Sequence, residues 1–321
     1  MIKRNLGSTE LRISAIGLGV FAIGGWMWGA QEDADSIAAI HAAIDAGVNW
    51  IDTAPIYGNG RADRIVAEAI RQLPAERRPM VFTKFGHHLV DGQRINDGSR
   101  ARVIADCDYN LKAFDVESLD LFQLHWPTST PIAETAAACG DLLKSGKIRA
   151  IGVCNFNRAQ LVEWQATGVP LHALQCPYSL IRQEVAAAEL PWCAENGVGA
   201  LAYSPLHRGL LSGTWNADKT FAKDDHRGER PDFNGPRLAR FLAAVEELRV
   251  IAEDDDLTVP QLAIGYLLCT EGLSGCIVGA RNAAQGAALS DLGMPIKAKH
   301  MDAVDVVLAK LKTDLDGLPA G

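Results

Sequence analysis

The chain has no run approaching the ~20 consecutive apolar residues that a membrane helix needs, so no membrane-spanning segment is expected. It also lacks a basic block or stripe. Lysine and arginine number 31 against 39 aspartates and glutamates, the net charge is −8, and the phosphate backbone of a nucleic acid would find little to neutralise it. Nucleic acid is therefore not an expected partner. Cysteine occurs seven times but never as a C-x-x-C pair or with zinc-site spacing, which suits reduced thiols in a cytoplasmic enzyme. His87 and His88 are adjacent and cannot converge on one ion without further ligands, so no metal is expected. Lys3 and Arg4 precede an apolar stretch over 13–25, but Glu10 and Arg12 interrupt it and no A-x-A cleavage site follows, so it does not read as a secretory signal.

What is present is an ordinary globular composition, 48% apolar over 321 residues, long enough for one large α/β domain or two smaller ones. Two short stretches, 3–5 and 11–14, flank a Gly-Ser-Thr turn and predict an N-terminal hairpin. After it, strand-like and helix-like stretches alternate. Strands are expected over 15–18, 49–52, 80–84, 119–125, 148–154, 173–177, 199–203 and 275–278, each apolar on both faces, as in a parallel sheet covered on both sides.

Between them, Ile37, Ile40 and Ile44 recur at helical spacing with Gly47 as the stop, and Val103, Cys107, Leu111 and Phe114 form another stripe. Further helices are expected over 62–71, 132–144, 158–167, 188–196, 237–253, 259–268 and 302–315. Eight strands with intervening helices is the count for a (β/α)8 TIM barrel carrying an N-terminal β-hairpin and extra C-terminal helices. No linker divides the chain, so residues 1–321 are expected to form a single domain. The stretch 207–236, rich in Gly, Asp and Arg, makes the seventh connection longer than a βα unit requires, which marks it as functional or mobile.

Gly17-Leu18-Gly19-Val20-Phe21-Ala22 matches G-x-G-x-x-A after a strand. A dinucleotide fingerprint must open a helix directly, and Gly24, Gly25 and Trp26 prevent that. The stronger constellation lies elsewhere. Asp52, Lys84 and His125 end three of the apolar runs, and Tyr57 follows the first. A carboxylate, an ammonium, an imidazole and a phenol can together hold and move a proton, and strand ends are where α/β barrels do chemistry. The phenol's reference pKa is ~10. A nearby ammonium favours phenolate, and a carboxylate beside the ammonium keeps it charged. Taken singly, each of these residues reads as readily as a salt bridge or a core histidine.

The segments Asp52-Thr53-Ala54-Pro55-Ile56-Tyr57-Gly58, Lys84-Phe85-Gly86 and His125-Trp126-Pro127 resemble the signatures of the aldo-keto reductases, NADPH-dependent carbonyl reductases on a (β/α)8 barrel. The likeness extends from the hairpin to the last helix. It implies that Tyr57 is the general acid in reduction of a small-molecule carbonyl substrate, that Asp52 and Lys84 depress its pKa, and that His125 positions the carbonyl. It further implies that Asn155 and Gln175 hold the nicotinamide carboxamide and that Tyr203 stacks on the ring. Ser204, Leu206, Gly209 and Leu211 would cradle the pyrophosphate, Gly279 and Arg281 would clamp phosphate, and Gln285 would contact the adenosine. Arg281 could fork onto a 2′-phosphate, which favours NADP over NAD.

Trp26 and Trp126 are expected at the substrate pocket, and Trp28, His87, His88 and Trp215 at the same barrel end. Two departures stand out: Ala288-Leu289 where relatives carry Glu-Asn for adenine, and Ala62-Asp63 in place of Ser-Glu. Two alternatives remain open at this point: a nucleotide-sensing subunit of a larger complex, as some members of the family are, and a barrel aldolase forming a Schiff base on Lys84.

Overall fold

Strand segments that are apolar on both faces close on themselves. The computed structural model describes residues 1–25 and 27–318. Along the chain the hairpin strands β1 (Lys3–Asn5) and β2 (Arg12–Ser14) come first, then β3 (Ile16–Gly19), α1 (Asp33–Asp45), β4 (Trp50–Asp52), α2 (Arg61–Arg71) and β5 (Met80–Phe85). A second hairpin follows, β6 (His87–Val90) and β7 (Gln93–Asn96), then α3 (Arg100–Phe114), β8 (Leu121–Leu124), α4 (Ile132–Lys144), β9 (Ile151–Cys154), α5 (Arg158–Ala166), β10 (Ala173–Pro177) and α6 (Glu189–Asn196). The last part comprises β11 (Gly199–Tyr203), α7 (Gly235–Glu253), α8 (Val259–Leu268), β12 (Leu273–Gly279), α9 (Ala283–Ala287) and α10 (Ala298–Leu315).

Eight strands form a closed barrel in the order β10-β11-β12-β3-β4-β5-β8-β9. Every barrel pair is parallel, and the first and last barrel strands meet where Cys276 pairs with Ile16 and Gly279 with Gly19. This is the (β/α)8 TIM barrel expected from the alternation. Among the described residues no helix is long and apolar enough to cross a membrane.

Two apolar layers hold it. The larger lies between the sheet and its helices and includes Ile51, Phe85, Phe122, Val153 and Leu174. The smaller fills the barrel interior: Trp50, Phe82, Leu121, Ala173 and Leu201, joined by Leu6, Leu11 and Ile13 of the N-terminal hairpin, which plugs one end. Because side chains alternate along a strand, the residues two positions on from that inner layer, Asp52, Lys84, Gln123, Gln175 and Tyr203, form the next one toward the carboxyl end. Apolar packing thus gives way to polar chemistry within one strand period.

The strand limits differ from expectation by a few residues. Leu119 and Ile148 form only an isolated bridge, so β8 and β9 start later than their apolar runs do. The hairpin β6–β7 was not foreseen, because it is largely exposed and its few apolar residues, Leu89, Val90 and Ile95, follow no alternation. Helix α10 begins at Ala298, four residues earlier than its apolar stripe indicates. Helix stops and starts are chemically legible: Gly47 takes φ +93° just beyond α1. Asn157 and Gln160 form a reciprocal capping box at the start of α5.

Candidate active site at the carboxyl end of the barrel

Lys84 is completely buried, a placement that requires its charge to be fully paired. Its Nζ donates to Asp52 Oδ2 (2.6 Å), to the Thr53 carbonyl (3.0 Å) and to Tyr57 Oη (3.3 Å). Asp52 is held from its other side, where Gln175 Nε2 donates to Oδ1 at 2.7 Å and Gln123 Nε2 at 3.4 Å. Tyr57 sits in the turn beyond β4, its amide bonded to the Ala54 carbonyl. That turn requires Gly58, at φ +59°, since a Cβ there would lie 2.4 Å from the Gly24 carbonyl oxygen.

The four predicted catalytic residues are thus neighbours. The Tyr57 and His125 rings meet edge to face at 5.7 Å. Among the described residues neither ring nitrogen of His125 makes a hydrogen bond, while its backbone is fixed by its amide donating to the Phe85 carbonyl at 3.0 Å and its carbonyl accepting from Asn155 Nδ2 at 3.2 Å.

The protonation states depart from one expectation. Burial pushes the Tyr57 hydroxyl well above the ordinary tyrosine value; Lys84 pulls it down and Asp52 pushes it up, and the net shift is upward. The expected acidification is overturned, because desolvation of a phenolate outweighs one neighbouring cation already paired with a carboxylate. Burial also opposes the charge on Lys84, but Asp52 and the other partners outweigh it and hold the ammonium above the usual lysine range. His125 is held well below the ordinary histidine value by burial, then by Lys84 and His87. The site at neutral pH therefore presents a neutral phenol, an ammonium and a neutral imidazole beside Asp52.

Gln123 was not singled out from sequence. It bridges Asp52 and Gln175, whose Nε2 donates to its Oε1 at 3.3 Å. Its space depends on Gly152, where a Cβ would come 2.7 Å from Gln123 Cγ. The available signal was one amide inside the apolar run Leu121–Leu124. Asp63 was noted only as a departure. It is buried, accepts from the Thr53 hydroxyl at 2.5 Å, and its Oδ2 has no partner. Burial pushes its carboxyl up to about 6.

The second-half residues also gather at this end. Asn155, at φ +62°, is bonded through its backbone to Gln175, and its Oδ1 accepts from Tyr203 Oη at 2.9 Å. Gln175 Oε1 accepts from no described residue. Ser204, Leu206, Gly209 and Leu211 lie in tight turns: Leu206 O accepts from the amides of Gly209 and Leu211, and Gly209 takes φ +99°.

Gly279 ends β12. The Arg281 amide donates to Gln285 Oε1 at 2.9 Å. The Arg281 guanidinium is half-buried and engaged within the protein rather than a free surface charge. It donates to Gln31 Oε1 (2.7 Å), to the Trp28 carbonyl (3.0 Å), and to the carbonyls of Gly29 and Ala30. At the Ala288-Leu289 departure, Leu289 is buried in the core.

Two loops meet over the mouth. Trp28 bridges to Asp225, the His226 amide and Nδ1 both meet the Met27 carbonyl, and the Arg227 guanidinium lies 4.6 Å from the Trp28 ring. Phe21 lies between Trp28 and Tyr57, at 5.9 and 5.0 Å. The long seventh connection is therefore pinned across the barrel. Trp126 is 40% exposed and lies parallel to His125 at 6.4 Å. Trp26 lies outside the described residues. His87 and His88 belong to no metal-ligating group; the one such group among the described residues, Asp254, Asp255 and His300, has both carboxylates paired with Lys297 and Lys299.

Fold and site together define a (β/α)8 barrel with a buried ionisable cluster at its carboxyl end. The aldo/keto reductase family model matches residues 15–309, and the chain belongs to that family, whose members use nicotinamide cofactors. It is 36% identical over 313 residues to the aldo-keto reductase YhdN of Bacillus subtilis (strain 168), covering 97% of this chain and 94% of that one. Identity to the NADH-specific methylglyoxal reductase of Escherichia coli (strain K12) is 31% over 299 residues, 87% of this chain and 90% of the relative. The structure of the glycerol dehydrogenase AKR11B4 from Gluconobacter oxydans superposes with a TM-score of 0.90 at 35% identity, covering 99% and 97% of the two chains.

Proposed function

We propose that the chain is an NADPH-dependent reductase that converts a small aldehyde or ketone to its alcohol, with Tyr57 as the proton donor. One observation carries this reading: Lys84 Nζ sits between Asp52 Oδ2 at 2.6 Å and Tyr57 Oη at 3.3 Å. A nicotinamide cofactor held at this site would supply the hydride for the carbonyl carbon. Tyr57 delivers its proton to the carbonyl oxygen, and the ammonium 3.3 Å away stabilises the phenolate left behind. His125, neutral, hydrogen-bonds that oxygen and orients it. Lys84 is charged and fully engaged as a donor, which argues against a Schiff-base role, since that needs a neutral amine.

The residues fit the cofactor. Asn155 Nδ2 has a hydrogen beyond the one given to His125, and Gln175 Oε1 is an acceptor without a described donor, which matches a carboxamide's own acceptor and donor. Tyr203, half-buried beside them, offers the stacking face. Ser204, Leu206, Gly209 and Leu211 would hold the pyrophosphate, Gly279, Arg281 and Gln285 the adenosine end, and Trp126 the substrate. NADPH rather than NADH rests on Arg281 alone, and one relative's name shows that NADH specificity occurs among similar chains. In this reading the chain works as one domain in the cytoplasm.

The test is steady-state reduction of sugars, short aldehydes and aromatic ketones with NADPH and NADH, for the wild type and Tyr57→Phe. General acid catalysis supplies ~10²–10⁴ in rate, so the variant should lose about that factor in kcat while binding the nucleotide normally. Near wild-type turnover by Tyr57→Phe would remove it from the mechanism. Tight nucleotide binding with no turnover of any carbonyl would favour a sensing subunit.

A further inference from the structure

The hairpin β6–β7 places polar groups beside the catalytic pair that the proton-transfer reading does not use. It leaves the barrel at Gly86, and its base is closed by the Asp97 amide donating to the Gly86 carbonyl at 2.8 Å. His87 pairs with Asn96 and Leu89 with Arg94, so alternation puts His87, Asn96 and Arg94 on one face. That face looks over the mouth: the His87 ring meets the His125 ring edge to face at 5.2 Å, and Arg94 reaches Met27 Sδ at 3.5 Å.

The bond between His87 Nδ1 and Asn96 Oδ1, 2.5 Å long, fixes the proton on Nδ1, because an amide oxygen only accepts. Burial first, and then the charges of Arg94 and His88, hold His87 below the ordinary histidine value, so the ring is neutral. Its Nε2 is then an acceptor, and it makes no hydrogen bond to any described residue.

We propose that His87 is a specificity residue that accepts a hydrogen bond from a hydroxyl next to the reacting carbonyl, so that hydroxy-aldehydes and hydroxy-ketones are the preferred substrate class. The inference rests on the carbonyl-reductase reading above. A deoxy substrate leaves Nε2 without a donor, and a second carbonyl at that position presents acceptor to acceptor.

Matched pairs test it: glyceraldehyde against propanal, and hydroxyacetone against acetone, each as kcat/KM with the faster reduced nicotinamide. The ratio within a pair is compared between variants, which cancels the intrinsic activation of a carbonyl by a neighbouring hydroxyl. His87→Phe should lower the hydroxyl-to-deoxy ratio about tenfold, the scale of one neutral hydrogen bond, while His87→Gln, which retains an acceptor, should keep it within about threefold. Asn96→Val, which releases the ring, should lower it by about threefold and supplies the test should His87→Phe not fold. Ratios unchanged in both His87→Phe and Asn96→Val overturn the proposal. A wild type that reduces no carbonyl at all sinks the reductase reading, and this proposal with it.

Discussion

Lys84 donates to Tyr57 Oη at 3.3 Å, so one lone pair of the phenol oxygen is already used and its hydrogen is left for another acceptor. A cation facing a phenol in this way favours proton release only when the proton has somewhere to go; until then burial keeps the hydroxyl neutral. Asp63, behind the Thr53 hydroxyl, is the second residue at which burial decides the protonation state. Its carboxyl is pushed up to about 6 from an ordinary 3.8. A raised acid favours the fold while protonated, so its contribution is fully present below about pH 4 and is lost as pH rises through 6. The shift corresponds to roughly 2–3 kcal/mol. Asp63→Asn should therefore show a flatter stability profile, gaining on the wild type between pH 4 and 6 and holding that advantage at pH 8. Urea midpoints across that range check it, and a constant difference at every pH would mean that Asp63 ionises normally.

Elements were legible in the sequence in proportion to their burial. The barrel strands stood out because both faces are covered, and Asp52, Lys84 and His125 stood out because a polar residue closes each apolar run. Gln123 escaped because one amide inside Leu121–Leu124 interrupts no pattern, and the hairpin β6–β7 escaped because an exposed ribbon needs no apolar alternation, and its Leu89, Val90 and Ile95 show none. Arg281 was visible as a residue, but its partners were not: they are mostly backbone carbonyls some 250 positions earlier in the chain, and carbonyls leave no sequence signature. That tether yields a prediction about the segment from Trp28 to Gln31. Arg281→Ala removes its hydrogen bonds to the carbonyls of Trp28, Gly29 and Ala30 and to the Gln31 side chain, so amide hydrogen exchange over residues 28–31 should rise about tenfold or more. If the guanidinium also serves a 2′-phosphate, the variant should bind NADPH at least tenfold more weakly and NADH little changed. Equal weakening of both nucleotides would leave Arg281 as a loop tether and remove the case for NADPH.

The whole barrel depends on closure at both ends of its axis. At the carboxyl end the mouth is covered by side chains from loops far apart in sequence, whereas the first hairpin plugs the opposite end, where its Leu6, Leu11 and Ile13 complete the interior layer formed by Trp50, Phe82, Leu121 and Leu201. The plug is tied in by more than apolar contact: Arg4 donates to the carbonyls of Leu268 and Leu273, and Asn49 Oδ1 accepts from the Ser14 amide at 2.7 Å. Interior packing of this kind relaxes little when a side chain is cut back, so Ile13→Ala, at a fully buried position, should cost about 2–5 kcal/mol. Since the same layer is shared by strands from the first to the last, the loss should lower the melting temperature of the entire chain in one transition rather than releasing the N-terminal segment first. Calorimetry of the wild type and Ile13→Ala decides the matter: a single peak moved down in temperature supports one cooperative domain spanning the chain, and a second, earlier peak in the variant would show that the hairpin folds as an appendage.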